Sequence, residues 1–377
     1  MAKISNTLSA WILAVTKAIF DCMRFNTHDA SLCIESSLHS LEVEPRTKRS
    51  AVRGRHLLQP STNRRPNPSR FRSALLGCLA IAATASAVQA DIRDDVEALF
   101  SRNVRDLDFA RAKIEVDRMI DPNIQLEEQL AQIDQMVATI RTMLPPNATS
   151  WDRVEAIRRY IYQPGAWNDG RAFSYDHDDP YGLNVRNKLL SDYIQDRRGN
   201  CITMPFLFII LGQRLGLNVV PALAPLHVLV KFTDDQGVTH NLEATSGAGR
   251  ARDQHYRDLL PITDTAISNG VFLAPLNAEQ SVAVIAAVIV EELIAQERYR
   301  DAMAVADILI EHHPTFAYIM VKKATASYHL LRREFHEMYP TAQDVPEDQR
   351  PYLAYLQRVN QEMFDRAESL GWRPVQR

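Results

Sequence analysis

Hydrophobic residues recur with a helical period where regular patterning begins in this chain. Between residues 91 and 144 apolar positions fall three or four residues apart, and Pro122 divides this pattern in two. The second part predicts a helix over residues 126–144, which Pro145 ends. A further helix is predicted over residues 151–161. The pattern therefore predicts a helical N-terminal region.

The pattern changes in the middle of the chain. Residues 205–217 are apolar on almost every helical face, as in a buried helix, and Gly216 is predicted to end it. Short runs rich in β-branched residues follow at 219–222, 226–232 and 238–245. Turn residues separate the last two runs, which are predicted to pair as an antiparallel hairpin. We therefore predict an α+β fold in which a buried helix packs against an antiparallel sheet.

Helical periodicity returns in the C-terminal part, from residue 276 to residue 377. Helices are predicted over residues 277–295, 298–314 and 352–369, with a degenerate one within 315–339. The second of these resembles a helix of a tetratricopeptide (TPR) repeat, with fitting residues at Tyr299, Ala302, Ala306 and Pro314. One or two such units do not form a solenoid alone, so we expect them to pack on the core and offer an exposed face to a protein partner.

The first ninety residues differ from the rest of the chain in composition and in hydrophobic pattern. Residues 1–69 are rich in arginine and lack a sustained hydrophobic period, which predicts a disordered leader or an over-extended gene start. Residues 70–90 combine basic residues, an alanine-rich apolar run and a small-residue end at Ala90, which is typical of a secretory signal peptide. The alternative is a buried core helix. The predicted organisation is thus 1–69, 70–90, a core at 91–275 and a helical region at 276–377.

Export would change the cysteine content. The chain has four cysteines, and cleavage after Ala90 would remove Cys22, Cys33 and Cys78. The mature protein, predicted to be periplasmic and without a stable membrane span, would keep Cys201. A single thiol in an exported protein is either an inert core residue or a reactive group. The net charge of −3 gives no reason to expect nucleic acid as a partner.

Cys201 directly precedes the buried helix. Free backbone N–H groups and the helix dipole favour negative charge at such a position. Because Pro205 lacks a backbone N–H, regular helix is predicted to begin no earlier than Ile202 or Thr203. This leaves the thiol at or just outside the first turn, where it can face a cleft.

The hairpin supplies a candidate base and a carboxylate. If residues 235–237 form a three-residue loop with Gly237 left-handed, His227 and Glu243 lie diagonally on one face of the sheet. A four-residue loop would place them on opposite faces. The order Cys, His, Glu is what a thiol nucleophile with a base and an orienting acceptor requires. The alternative is structural: a buried thiol, a core histidine and an exposed edge carboxylate.

Several motifs resemble the transglutaminase-like superfamily, and more narrowly its SirB-type proteins. They are R-R-G-N-C-I-T (197–203), L-H-V-L-V-K-F (226–232), N-L-E-A-T-S-G (241–247) and, upstream, D-F-A-R-A-K-I-E-V-D (108–117). The resemblance covers roughly residues 92–315.

The resemblance implies a papain-like cysteine fold with a triad of Cys201, His227 and Glu243. Glu243 stands where the superfamily usually has Asp, and its carboxylate is one methylene farther from the backbone. The implied activity is that of a protease, amidase or acyltransferase on peptide or protein substrates. It proceeds through a thioester without a cofactor, with hydrolysis favoured over cross-linking. Many SirB-type members lack the cysteine, so the alternative is an inactive scaffold that uses the TPR-like helices.

Two further sets of residues are candidates for the site. Gln195, which has the spacing of the papain-like oxyanion residue, and Asn200 are candidate oxyanion donors, with local capping as the alternative. In the Gly- and Asp-rich loop, oxygen ligands for calcium are offered by Asp176, Asp178 and Asp179. Their spacing does not fit an EF-hand, so no metal site is predicted. A calcium-regulated protease remains a third alternative.

Overall fold

The computed structural model describes residues 91–101, 108–180 and 182–375. The predicted leader (1–69) and signal peptide (70–90) lie outside these residues, as do the three N-terminal cysteines. Within the described ranges, none of the helices combines the length and the apolar character needed to cross a membrane.

The helical N-terminal region is confirmed. Its helices are α1 (Ile92–Phe100), α2 (Phe109–Ile120), α3 (Leu126–Arg141) and α4 (Ser150–Tyr162). Side chains cap three of the helix N-termini by accepting from free backbone N–H groups. They are Asp91 on α1, Asp108 on α2 and Thr149, in a reciprocal capping box, on α4. Helix α3 ends earlier than predicted, because residues 142–144 form a tighter turn.

The segment between α4 and the cysteine is divided into two short elements. The apolar residues from 189 to 194 follow a helical pattern, but the chain forms a 3₁₀ turn (Val185–Lys188) and a separate helix α5 (Leu190–Asp196). A buried Lys113–Asp117 ion pair of α2 explains the break. Asp117 accepts from the N–H of residue 190 at 2.7 Å, and Lys113 donates to the carbonyl of residue 188 at 2.7 Å. These backbone groups therefore bond to α2 rather than to a continuous helix.

The buried helix and the sheet form the centre of the fold. Helix α6 (Thr203–Arg214) packs against β3 (Asn218–Ala224) and β4 (His227–Thr233), and ten of its residues are buried. Strands β5 (Thr239–Glu243) and β6 (Gly249–Ala251) complete an antiparallel sheet in the order β3-β4-β5-β6. The predicted α+β fold is confirmed.

Two short strands were not predicted. β1 (Ser174–Tyr175) and β2 (Arg198–Gly199) pair in parallel just before the cysteine. Strand β6 was not predicted either; it forms because β5 offers free backbone groups at the sheet edge.

The predicted hairpin register is confirmed. The N–H of Asp234 donates to the carbonyl of Val238 at 2.9 Å, and Gly237 has a φ of 78°. Glycine adopts this left-handed conformation without steric cost. Residues 227 and 243 consequently share one face of the β4–β5 pair.

The C-terminal region is helical, as predicted. Its helices are α7 (Asp253–Leu259), α8 (Asp264–Ser268), α9 (Ala278–Ala295), α10 (Tyr299–His312), α11 (Ala317–Leu331) and α12 (Arg350–Ser369). The sequence had not indicated α7 and α8. Helix α9 packs against α2 as well as α10, and both halves of the chain share one hydrophobic core. The domain boundary at residue 275 and the TPR-like character of the tail stay predictions.

A buried histidine in this region should make stability depend on pH. His313 is fully buried, neither of its ring nitrogens has a hydrogen-bond partner, and burial lowers its pKa to about 4. Because this value lies below that of the unfolded chain, the contribution of His313 to stability is lost as pH falls from about 6.5 towards 4.

We expect His313→Phe to weaken this acid sensitivity. The phenyl ring keeps the stacking on Phe316, whose centroid lies 4.7 Å away. The difference in unfolding free energy between variant and wild type should change by up to about 1.4 kcal/mol per pH unit. Urea unfolding at pH 7, 6 and 5 measures it, and parallel pH curves for the two proteins would contradict the assignment.

Candidate active site

The turn that carries Cys201 is held by hydrogen bonds on both sides. Helix α6 begins at Thr203, so Cys201 lies just ahead of the first helical residue, as predicted. The side-chain oxygen of Asn200 accepts from the N–H groups of Ile202 (2.9 Å) and Thr203 (3.3 Å). The hydroxyl oxygen of Thr203 accepts in return from the N–H of Asn200 at 3.1 Å. The thiol is thereby fixed in position at the helix start.

Glycine is required directly before this turn. A β-carbon at Gly199 would lie 2.4 Å from Thr203 Oγ1 and 2.5 Å from Tyr193 Cδ2. Both distances are far below contact, so the backbone can approach α5 and α6 this closely only without a side chain. The glycine of the R-R-G-N-C motif thus has a packing role.

The thiol is half-buried and faces the turn between β3 and β4. Its Sγ donates to the carbonyl oxygen of Leu226 over 3.6 Å. Leu226 has a φ of 58°, which is uncommon for a residue with a side chain and stores strain. His227 follows it as the first residue of β4, opposite Ala224. The tight turn therefore brings the imidazole to the thiol.

His227 and Glu243 form a buried ion pair. Nε2 of His227 donates to Oε2 of Glu243 at 2.9 Å, and each side chain is only 7% exposed. Cys201 lies near the ring as well, since it contributes to the raised pKa of His227 and lines the same cavity. Because Nε2 is occupied, Nδ1 is the nitrogen that remains for the thiol. The structure thus brings together the three residues singled out in the sequence.

Glu243 is held by two further residues. Its Oε1 accepts from the N–H of Thr245 (3.0 Å) and from the Thr245 hydroxyl (2.5 Å), and its Oε2 accepts from the Tyr256 hydroxyl (2.9 Å). The glutamate therefore reaches the imidazole and the turn after β5 at once. Its extra methylene, compared with aspartate, is accommodated by this geometry.

Burial and mutual attraction act in opposite directions on this pair. Burial alone would raise the pKa of Glu243, but His227, Thr245 and Tyr256 lower it to about 2. Burial alone would lower the pKa of His227, but the charge of Glu243 and the contact with Cys201 raise it to about 10. Both partners are consequently charged at neutral pH.

A cavity of about 290 Å³ opens beside these residues and is lined by Cys201, His227 and Asn200. The amide oxygen of Asn200 is used in capping, as the alternative interpretation held, but the side chain also borders the cavity. Gln195 does not. It lies exposed on α5, because Arg197 reverses the chain in a left-handed conformation before β2. Of the two oxyanion candidates, Asn200 therefore borders the cavity and Gln195 does not.

The acidic loop bonds to protein groups. Arg198 pairs with Asp176 and, at 2.6 Å, with Asp178. Asp179 accepts from the amide of Asn187 at 2.8 Å and from the N–H of Leu183 at 2.8 Å. Within residues 91–101, 108–180 and 182–375, no group of three His, Cys, Asp or Glu side chains is arranged to hold a metal ion.

Sequence reasoning missed two tyrosines. Tyr256 on α7 orients Glu243, and Tyr175 on β1 lines the cavity, where its hydroxyl donates to the carbonyl of Pro180 at 3.2 Å. Burial and the nearby Cys201 raise the pKa of Tyr175, so it remains a neutral donor. Neither residue has a revealing position in the sequence, since tertiary packing alone brings it to the site.

The His227–Glu243 ion pair predicts how the pKa of His227 changes when the negative charge of Glu243 is removed. Glu243→Gln keeps the shape of the side chain, but burial then acts on His227 without a compensating charge. We expect the pKa of His227 to fall from about 10 to 6.5 or below. An NMR titration of the His227 ring measures this directly.

The pH dependence of folding stability provides an independent measure of the His227 pKa. Because the folded pKa of His227 lies above its unfolded value, its contribution is complete below about pH 6.5 and is lost as pH rises through 10. Wild type should therefore lose more stability than Glu243→Gln between pH 7 and pH 10. An unchanged His227 titration in the variant would show that Glu243 does not set its charge state.

Comparison with known proteins assigns the centre of the chain to a family. Residues 127–283 match the profile of the transglutaminase-like superfamily. The matched region runs from α3 into the first turns of α9 and contains Cys201, His227 and Glu243. Neither the curated proteins nor the solved structures include a significant match to this chain.

Proposed function

Because residues 127–283 form a transglutaminase-like superfamily domain, we propose that the protein is a cysteine enzyme that attacks peptide or side-chain amide bonds. The observation that carries this proposal is the buried His227–Glu243 contact of 2.9 Å beside the Cys201 thiol, which lines the same cavity as His227. A structural core would not need two buried charges aligned on a half-buried thiol.

Each residue has a defined part in the reaction. In the charged form of His227, Nδ1 carries the proton that Cys201 has given up, and Sγ attacks the carbonyl carbon of the substrate as a thiolate. The tetrahedral intermediate collapses as the protonated imidazole gives its proton to the leaving amine, which produces a thioester. His227 then deprotonates a water or an amine, which attacks the thioester and releases the thiol. Glu243 holds the imidazole in orientation and stabilises its positive form.

The oxyanion of the intermediate requires hydrogen-bond donors. We assign this role to the backbone N–H of Cys201 and the side-chain amide of Asn200. The oxygen of that amide is held by the N–H groups of residues 202 and 203, which fixes the direction of its nitrogen. We propose water as the acceptor, so that the reaction is hydrolysis, and we retain the periplasm as the compartment on the signal-peptide prediction.

The proposal predicts an activated thiol. We expect iodoacetamide to alkylate Cys201 at pH 7 at least about tenfold faster than free cysteine, because His227 accepts its proton. His227→Ala should abolish this advantage. Mass spectrometry of the modified peptide distinguishes Cys201 from the other cysteines.

The same hairpin offers a matched control. His240 lies on β5 and bonds to Asp234 at 2.8 Å, and it does not line the cavity. His240→Ala should leave the alkylation rate unchanged. Ordinary reactivity of Cys201 in the folded wild type would refute the enzyme and favour an inactive scaffold.

The assignment of Asn200 as an oxyanion donor predicts a loss of acylation rate that is separate from any change in alkylation. Acylation of Cys201 by p-nitrophenyl acetate passes through a tetrahedral oxyanion, whereas alkylation by iodoacetamide does not. We expect Asn200→Ser to slow release of p-nitrophenolate by about 10²-fold, the typical effect of losing one oxyanion donor, and to change alkylation by less than about threefold. The serine hydroxyl can still cap α6, so stability should fall only slightly.

Comparison with Asn200→Ala separates the two roles of this residue. The alanine variant loses both the donor and the cap, so its stability should fall by a further ~1 kcal/mol. If Asn200→Ser and wild type release p-nitrophenolate at the same rate, Asn200 is a cap alone.

A further inference from the structure

The C-terminal helix α9 forms one wall of the cavity that contains the thiol. The lining residues of α9 include Val284, Ala287, Val288 and Glu291. Their spacing of three, four and seven residues places them on one stripe of the helix. The other faces of α9 are covered by α2, α10 and α11. The apolar part of this stripe therefore faces the same space as Cys201.

The position of this wall relative to the catalytic sheet is fixed by backbone hydrogen bonds. The N–H of Leu273 donates to the carbonyl of Leu223 (2.8 Å), and the N–H of Leu276 donates to the carbonyl of Pro221 (2.9 Å). Both acceptors lie on β3, the strand next to His227. Phe272 and Leu223 add further apolar surface to the cavity.

The charged residues at the end of the stripe are engaged with protein groups. Glu292 accepts from the side chain of Gln296 at 2.8 Å, and Lys322 lies over the Tyr318 ring, 5.2 Å from its centroid. Glu291 pairs through Oε2 with Lys188 and accepts through Oε1 from the Tyr318 hydroxyl at 2.8 Å. Its two oxygens are thus both engaged, and the charges of Glu291 and Lys188 compensate each other. A charged ligand group would have to break these contacts, whereas an uncharged apolar group would not.

From these observations we propose that the apolar stripe of α9 is a recognition pocket for an uncharged apolar side chain or acyl group of the substrate. The volume of about 290 Å³ is at the small end for ligand pockets, so it fits one such group and not a folded partner. This inference rests on the proposed function, since it assigns a specificity to the same thiol. It gives the C-terminal helices a part in the active site.

Graded alkylating agents test the pocket. The selectivity is the alkylation rate of Cys201 by N-benzyl iodoacetamide divided by the rate with iodoacetamide. In wild type we expect it to exceed the value for free cysteine by at least about tenfold, which corresponds to about 1.4 kcal/mol. Iodoacetate, which carries a carboxylate, should gain no such advantage.

Filling the pocket should remove this selectivity. Ala287→Leu projects a larger side chain into the cavity, so the selectivity, in which any change of the iodoacetamide rate divides out, should fall to within about twofold of free cysteine. Ala278→Leu is the matched control, because Ala278 lies on the same helix and does not line the cavity. If Ala287→Leu does not fold, Val284→Thr, which keeps the volume and adds a hydroxyl, should lower the selectivity in the same direction.

The outcomes separate the two proposals. Loss of His227-dependent alkylation by iodoacetamide would refute the enzyme itself. Rapid, His227-dependent alkylation with the benzyl selectivity of free cysteine, or with a preference for iodoacetate, would overturn only the apolar pocket. Unchanged selectivity in the pocket variants would also overturn it.

Discussion

The buried pair of His227 and Glu243 is the interaction on which the site depends. Removing two charges from water carries a desolvation cost that only close pairing and further hydrogen bonds can offset. Each requirement is met by a different part of the fold: the hairpin register aligns the pair, Thr245 holds one carboxylate oxygen, and Tyr256 donates to the other. Loss of any one of these would leave a buried charge with incomplete compensation.

The thiol reaches this pair through a series of close contacts. Gly199 allows the chain to pass between α5 and α6, Asn200 caps the buried helix, and the strained Leu226 directs its carbonyl at Sγ. Strain of this kind persists only where the surrounding structure determines the conformation. Here the β3–β4 pairing and the rigid helix start do so, which keeps the thiol and the imidazole close together.

The helical regions complete the site as well as supporting it. Lys113 and Asp117 in α2 bind the backbone on either side of residue 189 and so fix the segment that carries Lys188. Lys188 then pairs with Glu291 on α9, whose apolar stripe faces the thiol. N-terminal, central and C-terminal helices are therefore joined through the cavity, and a cut at residue 275 would remove one of its walls.

Local signals in the sequence were enough to predict much of this. The apolar run after Cys201 indicated a buried helix because no surface helix is apolar on all faces, and Gly237 determined the register because only a left-handed residue closes the three-residue loop. The exposed position of Gln195, strand β6 and the break before α5 could not be predicted from the sequence, for the opposite reason. Their conformations depend on Arg197, on a free sheet edge and on the distant Lys113–Asp117 pair, so spacing along the chain carries no information about them.

By itself, then, the sequence determined the α+β class and the shared face of residues 227 and 243, because helical periodicity and strand parity are local properties. Only the tertiary structure decided that Tyr256 orients Glu243, that Asn200 and not Gln195 borders the cavity, and that α9 forms its apolar wall. These are contacts between segments far apart in the chain, and packing of the common core sets them.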